Sequence, residues 1–152
     1  MYKTFKITIL FIVKCLGLFW LARKYNKGNA CVLCYHGFAY SDEYKFRPKL
    51  FMRPETFAKR MQWLANSPYN VISLQEATEF KQSESSVVLT MDDGWAGTLE
   101  LVGGTLKSHD FPVMLYVSSY YVLKQGSVIN VALAYLVWKS IGNTLTIDSE
   151  LL

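Results

Sequence analysis

Several residue types that define common classes of small protein are scarce in this chain. Three cysteines in 152 residues are too few for a disulfide framework. Charged residues make up 18% of the chain and hydrophobic residues 51%, which excludes an intrinsically disordered protein. The net charge of +4 is carried mostly by the first 27 residues, so we expect no nucleic-acid partner. The remaining length suits one ordinary domain with a sizeable core.

The N-terminal segment, residues 1–27, has the pattern of a basic amphipathic helix. Apolar residues recur at helical spacing over positions 4–24, while Lys6, Lys14 and Lys24 fall on one narrow stripe. Lys14 interrupts the apolar run, whereas a membrane-spanning helix needs about 20 apolar residues. We therefore expect a helix on a membrane surface, at either the cytoplasmic face or the cell envelope. The alternative is a helix packed on the domain with its lysines in water.

From residue 28 onward, apolar strand patterns alternate with helical ones. Strands are predicted at residues 30–36, 70–73, 86–91 and 111–117, and helices at 54–66, 73–80, 96–108 and 129–141. Residues 37–52 are predicted as a polar, aromatic loop, and 81–85 as a connector. Alternation at this spacing is typical of an α/β domain with a parallel sheet, either open or barrel-like.

A C-x-x-C spacing at Cys31 and Cys34 suggests a metal or redox site. These cysteines lie in the first predicted strand, where residues three apart point to opposite faces. We therefore expect neither a chelate nor a disulfide. Each cysteine is predicted to be a small core side chain.

Two adjacent aspartates, Asp92 and Asp93, follow the most apolar strand and precede Gly94. Two neighbouring carboxylates repel each other unless a cation or a shared proton offsets the repulsion. Gly94 allows a sharp turn, so both side chains could face one cleft. A helix N-cap would explain one aspartate but not both. The pair therefore predicts a functional site at the carboxyl end of this strand.

His36 ends the first strand as the aspartates end theirs. In a parallel sheet these ends share one edge, so we expect a cleft near His36, with Tyr35 and Trp95 as further candidates. The alternative for His36 is a half-buried histidine with its hydrogen bonds satisfied. His109 precedes a strand at the opposite end of the sheet and is predicted to be a surface loop residue.

These motifs resemble those of the polysaccharide deacetylases, carbohydrate esterase family four. Thr90-Met91-Asp92-Asp93-Gly94 is similar to the family motif T-F-D-D-G, with Met91 as a mild departure. The resemblance extends over about residues 30–119, through the segments Val32-Leu33-Cys34-Tyr35-His36-Gly37, Arg53-Pro54-Glu55-Thr56-Phe57, Asn70-Val71-Ile72-Ser73-Leu74 and Phe111-Pro112-Val113-Met114-Leu115-Tyr116-Val117.

The resemblance implies a distorted (β/α) barrel that removes N- or O-acetyl groups from an acetylated polysaccharide. It also implies a divalent metal, commonly zinc, held by the second aspartate and by two histidines of a later H-x-x-x-H motif. On this sequence, Asp93 would be the metal ligand and Asp92 the general base. A metal lowers the pKa of bound water, and a carboxylate takes the proton as water attacks the carbonyl.

The chain departs from the family in its histidines. His36 and His109 are its only two, and neither belongs to an H-x-x-x-H motif. We therefore expect residues 28–152 to be the N-terminal part of a deacetylase domain, a fragment that is inactive by itself. The alternative is a non-catalytic carbohydrate-binding or membrane-associated module of the same type.

Overall fold

A computed structural model describes residues 2–79 and 85–142, with side chains from residue 4 onward. The N-terminal part contains α1 (Tyr2–Cys15), α2 (Leu18–Tyr25), β1 (Ala30–Tyr35), β2 (Gly37–Phe38), α3 (Glu43–Phe46) and β3 (Phe51–Met52). The middle contains α4 (Pro54–Ala65), β4 (Asn70–Ile72), α5 (Leu74–Glu79), β5 (Ser86–Met91) and α6 (Ala96–Ser108). The last described elements are β6 (Val113–Leu115), α7 (Ser119–Lys124) and α8 (Ile129–Lys139). The predicted domain range extends to residue 152, and its last ten residues lie outside this description.

The main sheet is parallel and is built around β5. Strand β1 pairs with β5 along its whole length, from Ala30 opposite Ser86 to Tyr35 opposite Met91. On the other edge of β5, β4 pairs with its first half and β6 with its second half. All six residues of β5 are buried, as its apolar sequence predicts. The parallel α/β architecture is thus confirmed. A closed barrel is not formed by the residues that the structure describes.

The hydrophobic core lies between one face of this sheet and the helices α4 and α6. Residues of β5 alternate, and Val87, Leu89 and Met91 point into the core. Phe57 of α4 and Val102 of α6 are fully buried against them. Pro54 begins α4 at a position where its missing amide hydrogen costs nothing. The predicted helices at 54–66 and 96–108 are therefore confirmed.

On the opposite face of the sheet, residues of the strands that flank β5 are exposed to solvent. Val32 of β1 is 52% exposed and Met114 of β6 is 39% exposed. Their strand partners, Val88 and Thr90, are buried because they lie on the central strand. Within residues 2–79 and 85–142, no layer covers the whole of this face as α4 and α6 cover the other.

The N-terminal helix differs from the prediction of one continuous element. It consists of α1 and α2, which meet at a bend of 74°. Gly17 adopts φ 71°, a left-handed conformation that glycine takes without strain, and this residue breaks the helix. In the described residues no single helix is long and apolar enough to cross a membrane, although the bent pair passes that test of length and composition together.

The apolar side chains of α1 and α2 face outward. Those exposed include Phe5, Ile7, Leu10, Phe11, Phe19 and Trp20. A helix packed on the domain would bury such residues, so the packed-helix alternative is not supported.

The predicted loop at residues 37–52 contains three short elements. Strands β2 and β3 pair with each other, and α3 lies between them. Helix α7, which follows β6, is also absent from the prediction, and β6 is shorter than the predicted strand at 111–117. These elements contain two to six residues, too few to show a hydrophobic period.

Helix α8 is held to the loop before α3 by a polar cluster around Asp42. Lys139 Nζ donates to Asp42 Oδ2 at 2.6 Å, and the Tyr135 hydroxyl donates to Oδ1. These two hydrogen bonds, the lysine's first, lower the pKa of Asp42 below its ordinary value. The Phe46 ring also contacts the rings of Tyr135 and Trp138. Helix α8 is therefore attached to α3 and to the loop before it.

Candidate functional site

The backbone places Asp92 directly beyond β5 and beside the end of β1. Its amide donates to the Tyr35 carbonyl at 2.9 Å, which continues the strand pairing by one residue. On the other edge, the Tyr116 amide donates to the Met91 carbonyl at 2.8 Å. Asp92 thus follows a strand end that is hydrogen-bonded on both sides.

Asp93 and Gly94 turn the chain out of the sheet. Both have left-handed backbone angles, with φ 70° for Asp93 and 67° for Gly94. Aspartate is one of the few residues with a side chain that tolerates this region. A Cβ atom on Gly94 would also lie 3.1 Å from Val117 Cγ1. The Asp-Asp-Gly order therefore suits a tight turn between β5 and α6.

The start of α6 lies against β2. A Cβ atom on Gly97 would lie 2.7 Å from the Phe38 carbonyl oxygen, closer than real Cβ contacts. Only glycine allows this approach without a shift. Gly97 thereby allows α6 to begin close to β2.

Asp92 lies in a cluster with Cys34 and His36. The Cys34 thiol donates to Asp92 Oδ2 at 3.2 Å, and His36 Nε2 lies 3.8 Å from the same oxygen. Cys34 and His36 are two residues apart and therefore share one face of the strand. The His36 and Asp92 side chains are 39% and 35% exposed, so the cluster is open to solvent.

The pKa of the Cys34 thiol is raised above its ordinary value. Partial desolvation of the thiol by neighbouring atoms is the largest cause, followed by its hydrogen bond to Asp92. Cys34 is therefore a neutral thiol donor to Asp92 at neutral pH.

Asp93 points into different surroundings. The Trp95 indole Nε1 donates to Asp93 Oδ2 at 3.2 Å, and the Trp95 ring packs edge-on against Phe51 at 5.1 Å. These residues line a cavity of about 750 Å³. Its other walls come from β2, the start of α6, α7 and α8, and include Phe38, Tyr40, Glu43, Tyr121, Val131 and Tyr135.

The predicted cleft residues are thus divided between two places. Trp95 and Asp93 line the cavity, whereas Asp92 and His36 are not among its lining residues. The prediction that Tyr35 lies in the cleft is wrong, because its ring packs in the core against the Phe57 ring, with 5.1 Å between the ring centres. On a strand it must point opposite to Cys34 and His36. His109 ends α6 and stacks on Phe111, away from these residues.

The prediction that Cys31 and Cys34 are core residues is also wrong. Both are exposed free thiols: β1 lies at an edge of the described sheet, and Cys34 is on the same strand face as the exposed Val32. The sequence did indicate that Cys34 lies beside His36, because side chains two residues apart point to the same face of a strand.

The donor set implied by the resemblance is not complete here. Asp93 is its one member among the described residues, and a single carboxylate does not hold a divalent metal. Instead, the donor atoms of Cys34, His36 and Asp92 lie within 4.8 Å of one another.

Solved structures with a similar fold include a deacetylase. The deacetylase PplD of Streptococcus pyogenes, solved in complex with acetate, superposes with a TM-score of 0.55 and 22% identity. That match covers 67% of this chain and 47% of PplD. IcaB from Ammonifex degensii gives a TM-score of 0.51 at 23% identity, with 59% of this chain and 38% of IcaB covered.

No family model and no curated protein sequence matches the chain. The chain spans less than half the length of PplD and of IcaB. The fold of the part of the chain that the structure describes is nevertheless similar to that of the deacetylase PplD, in agreement with the resemblance that the motifs indicate.

Proposed function

We propose that this chain provides the N-terminal part of a polysaccharide deacetylase, a hydrolase that releases acetate from an acetylated polysaccharide. One observation carries the proposal. In a fold similar to that of PplD, Asp92 and Asp93 end the buried central strand, and Asp93 lines a large cavity with aromatic walls.

The remainder of the domain is proposed to complete the sheet. The structural matches cover less than half of PplD and IcaB, and one sheet face carries exposed apolar residues such as Val32 and Met114. Further strands and helices would bury this face, because exposed apolar surface is costly in water.

Asp92 is proposed as the general base. It is half-exposed at a strand end, where a carboxylate can accept the proton of a water that attacks the acetyl carbonyl. When the C–N or C–O bond of the tetrahedral intermediate breaks, this proton passes to the sugar nitrogen or oxygen, which gives acetate and a free amine or hydroxyl on the sugar.

Asp93 is proposed as a metal ligand, as the resemblance implies. The two histidines of that donor set are absent from this sequence, which has only His36 and His109. Metal dependence is therefore proposed for a domain that supplies them, and no step of catalysis is assigned to a metal here.

The cavity beside Asp93 is proposed to bind the sugar. Its volume of about 750 Å³ lies within the range of small-molecule sites. Trp95, Phe51 and Tyr40 offer aromatic surface for the apolar faces of sugar rings, while Asp93 and Glu43 can accept hydrogen bonds from hydroxyl and amide groups. Because both the catalytic domain and a non-catalytic module would use this cavity, binding and acetate release must be measured separately.

Sugar binding can be tested with the 152-residue chain itself. Oligomers of N-acetylglucosamine should bind saturably in a calorimetric titration, and Trp95→Ala should weaken binding about tenfold, because an aromatic wall is lost. Trp63→Ala is the matched control, since Trp63 is 64% exposed on α4 and does not line the cavity. Absence of saturable binding, or equal binding by the Trp95→Ala variant, would exclude the cavity as the sugar site.

We also propose that α1 and α2 contact a membrane surface. Their exposed apolar side chains need a non-aqueous environment, and residues 1–27 contain basic residues but no aspartate or glutamate. A membrane with anionic lipids matches both properties.

The full chain should float with anionic vesicles and less with neutral ones. Reversal of two charges, Lys14→Glu with Lys27→Glu, should lower vesicle affinity at least about tenfold, since each near-surface lysine contributes about 1 kcal/mol. Lys59→Glu with Arg60→Glu is the control, because these exposed basic residues lie on α4. If the two double variants bind vesicles equally well, or the wild type does not bind, the N-terminal pair is not a membrane contact.

A further inference from the structure

The cluster of Cys34, His36 and Asp92 is built by two neighbouring parallel strands. Cys34 lies on β1, and His36 follows the end of this strand on the same face. Asp92 follows Met91, the residue of β5 that pairs with Tyr35. The hydrogen bond from the Asp92 amide to the Tyr35 carbonyl fixes the two strand ends in register. The paired strands therefore place the backbone of these three residues side by side.

The distances within the cluster approach those of a tetrahedral metal site. Ligand atoms about 2.0–2.3 Å from a zinc ion are about 3.3–3.8 Å from one another. The Asp92 Oδ2 oxygen already lies 3.2 Å from Cys34 Sγ and 3.8 Å from His36 Nε2. All three donor atoms lie within 4.8 Å of one another, so small rotations of side chains would suffice.

The donor chemistry selects the class of metal. A thiolate, an imidazole and a carboxylate together suit borderline cations such as Zn²⁺, whereas Mg²⁺ and Ca²⁺ prefer oxygen alone. The two negative ligands balance the charge of a divalent ion. Three protein ligands also leave a fourth position for water, because the cluster is open to solvent.

We propose that Cys34 Sγ, His36 Nε2 and Asp92 Oδ2 form a binding site for a divalent cation of the Zn²⁺ class. Binding replaces the thiol proton, which is released to solvent. This donor set is different from the one that the deacetylase resemblance implies, in which Asp93 is the ligand.

One consequence rests on the proposed function. A metal held by Asp92 Oδ2 would withdraw this carboxylate from proton transfer, so occupancy of the site would oppose general-base catalysis. The existence of the site does not depend on that role, and binding can be tested without an activity assay.

Cobalt(II) is a suitable probe of the full chain because its spectrum reports the ligands. Titration with Co²⁺ should give thiolate-to-metal charge-transfer absorption that saturates at one ion per chain, and Zn²⁺ should displace it. Cys34→Ser and His36→Ala should each weaken metal binding at least about 100-fold. Loss of a residue that only orients a ligand has a smaller effect on metal affinity. Cys31→Ser and His109→Ala are matched controls that should bind as the wild type does.

A second measurement needs no variant. Saturating Zn²⁺ should slow the alkylation of Cys34 by iodoacetamide at least about tenfold and leave Cys31 unchanged, since a metal-bound thiolate is protected. Equal protection of both thiols, or of neither, would overturn the proposal. So would charge-transfer absorption that survives Cys34→Ser. Binding that is lost in Asp93→Asn but retained in Cys34→Ser and His36→Ala would place the metal at Asp93 instead.

Discussion

Replacement of Asp92 by asparagine is expected to lower the turnover of acetylated glucosamine oligomers at least about 100-fold in a protein that contains the whole deacetylase domain. Asparagine has nearly the same shape but cannot accept a proton at the required step. Asp92 is not among the residues that line the cavity, so oligomer affinity should change little. The loss should therefore appear in kcat and not in substrate binding.

Initial rates of acetate release and a parallel binding titration would separate these two effects. Glu55→Gln is a suitable control, because Glu55 is an exposed carboxylate in the first turn of α4. If Asp92→Asn retains wild-type turnover, Asp92 is not the base. If it loses turnover only through weaker binding, its role is in recognition.

Replacement of Phe57 by alanine is expected to lower the free energy of unfolding by about 3–5 kcal/mol. The Phe57 side chain is fully buried and packs edge-on against both Tyr35 at 5.1 Å and Phe38 at 5.0 Å. Alanine would leave a cavity between α4 and the ends of β1 and β2. Such a loss is a large part of the total stability of an ordinary domain.

Urea denaturation of the 152-residue chain, followed by circular dichroism, would measure this effect. Trp63→Ala on the exposed side of the same helix should change the free energy of unfolding by less than about 0.5 kcal/mol. A loss below about 1 kcal/mol for Phe57→Ala would contradict the placement of this ring at the centre of the core.

The elements that the sequence predicts best are those with long, uninterrupted patterns. Strand β5 is mostly apolar, with Ser86 and Thr90 as its two polar residues, and is confirmed as the buried centre of the sheet. Helix α4 has Pro54 at its start and an inward face that contains Phe57 and Met61, both of which are buried. In these segments the local pattern and the tertiary packing favour the same structure.

The segments that the sequence predicts poorly depend on distant contacts. Strands β2 and β3 have two residues each and exist because they pair with each other. The N-terminal helix is broken at Gly17. A single glycine weakens a helix but does not always end it, so the apolar pattern alone could not show this break. Helix α8 is predicted, but its attachment through Asp42 joins residues 97 positions apart, which no local pattern can show.

For the candidate site, the sequence predicts which residues meet better than it predicts what surrounds them. The strand ends bring His36 close to Asp92, as a parallel sheet requires. The turn angle of Asp93, however, sends its carboxylate toward Trp95 and the cavity. The exposure of Cys34 depends on an open sheet face, which is a property of tertiary packing and not of the strand pattern.

Acetate release from acetylated glucosamine oligomers is the most direct test of whether the end of β5 is a hydrolytic site. The assay should use a protein that contains the complete domain, with Asp92→Asn measured beside it. We expect release by the wild type and at least about a 100-fold lower rate for the variant. Oligomer binding without acetate release above the rate of the Asp92→Asn variant would contradict the proposed hydrolase and would favour a non-catalytic carbohydrate-binding module.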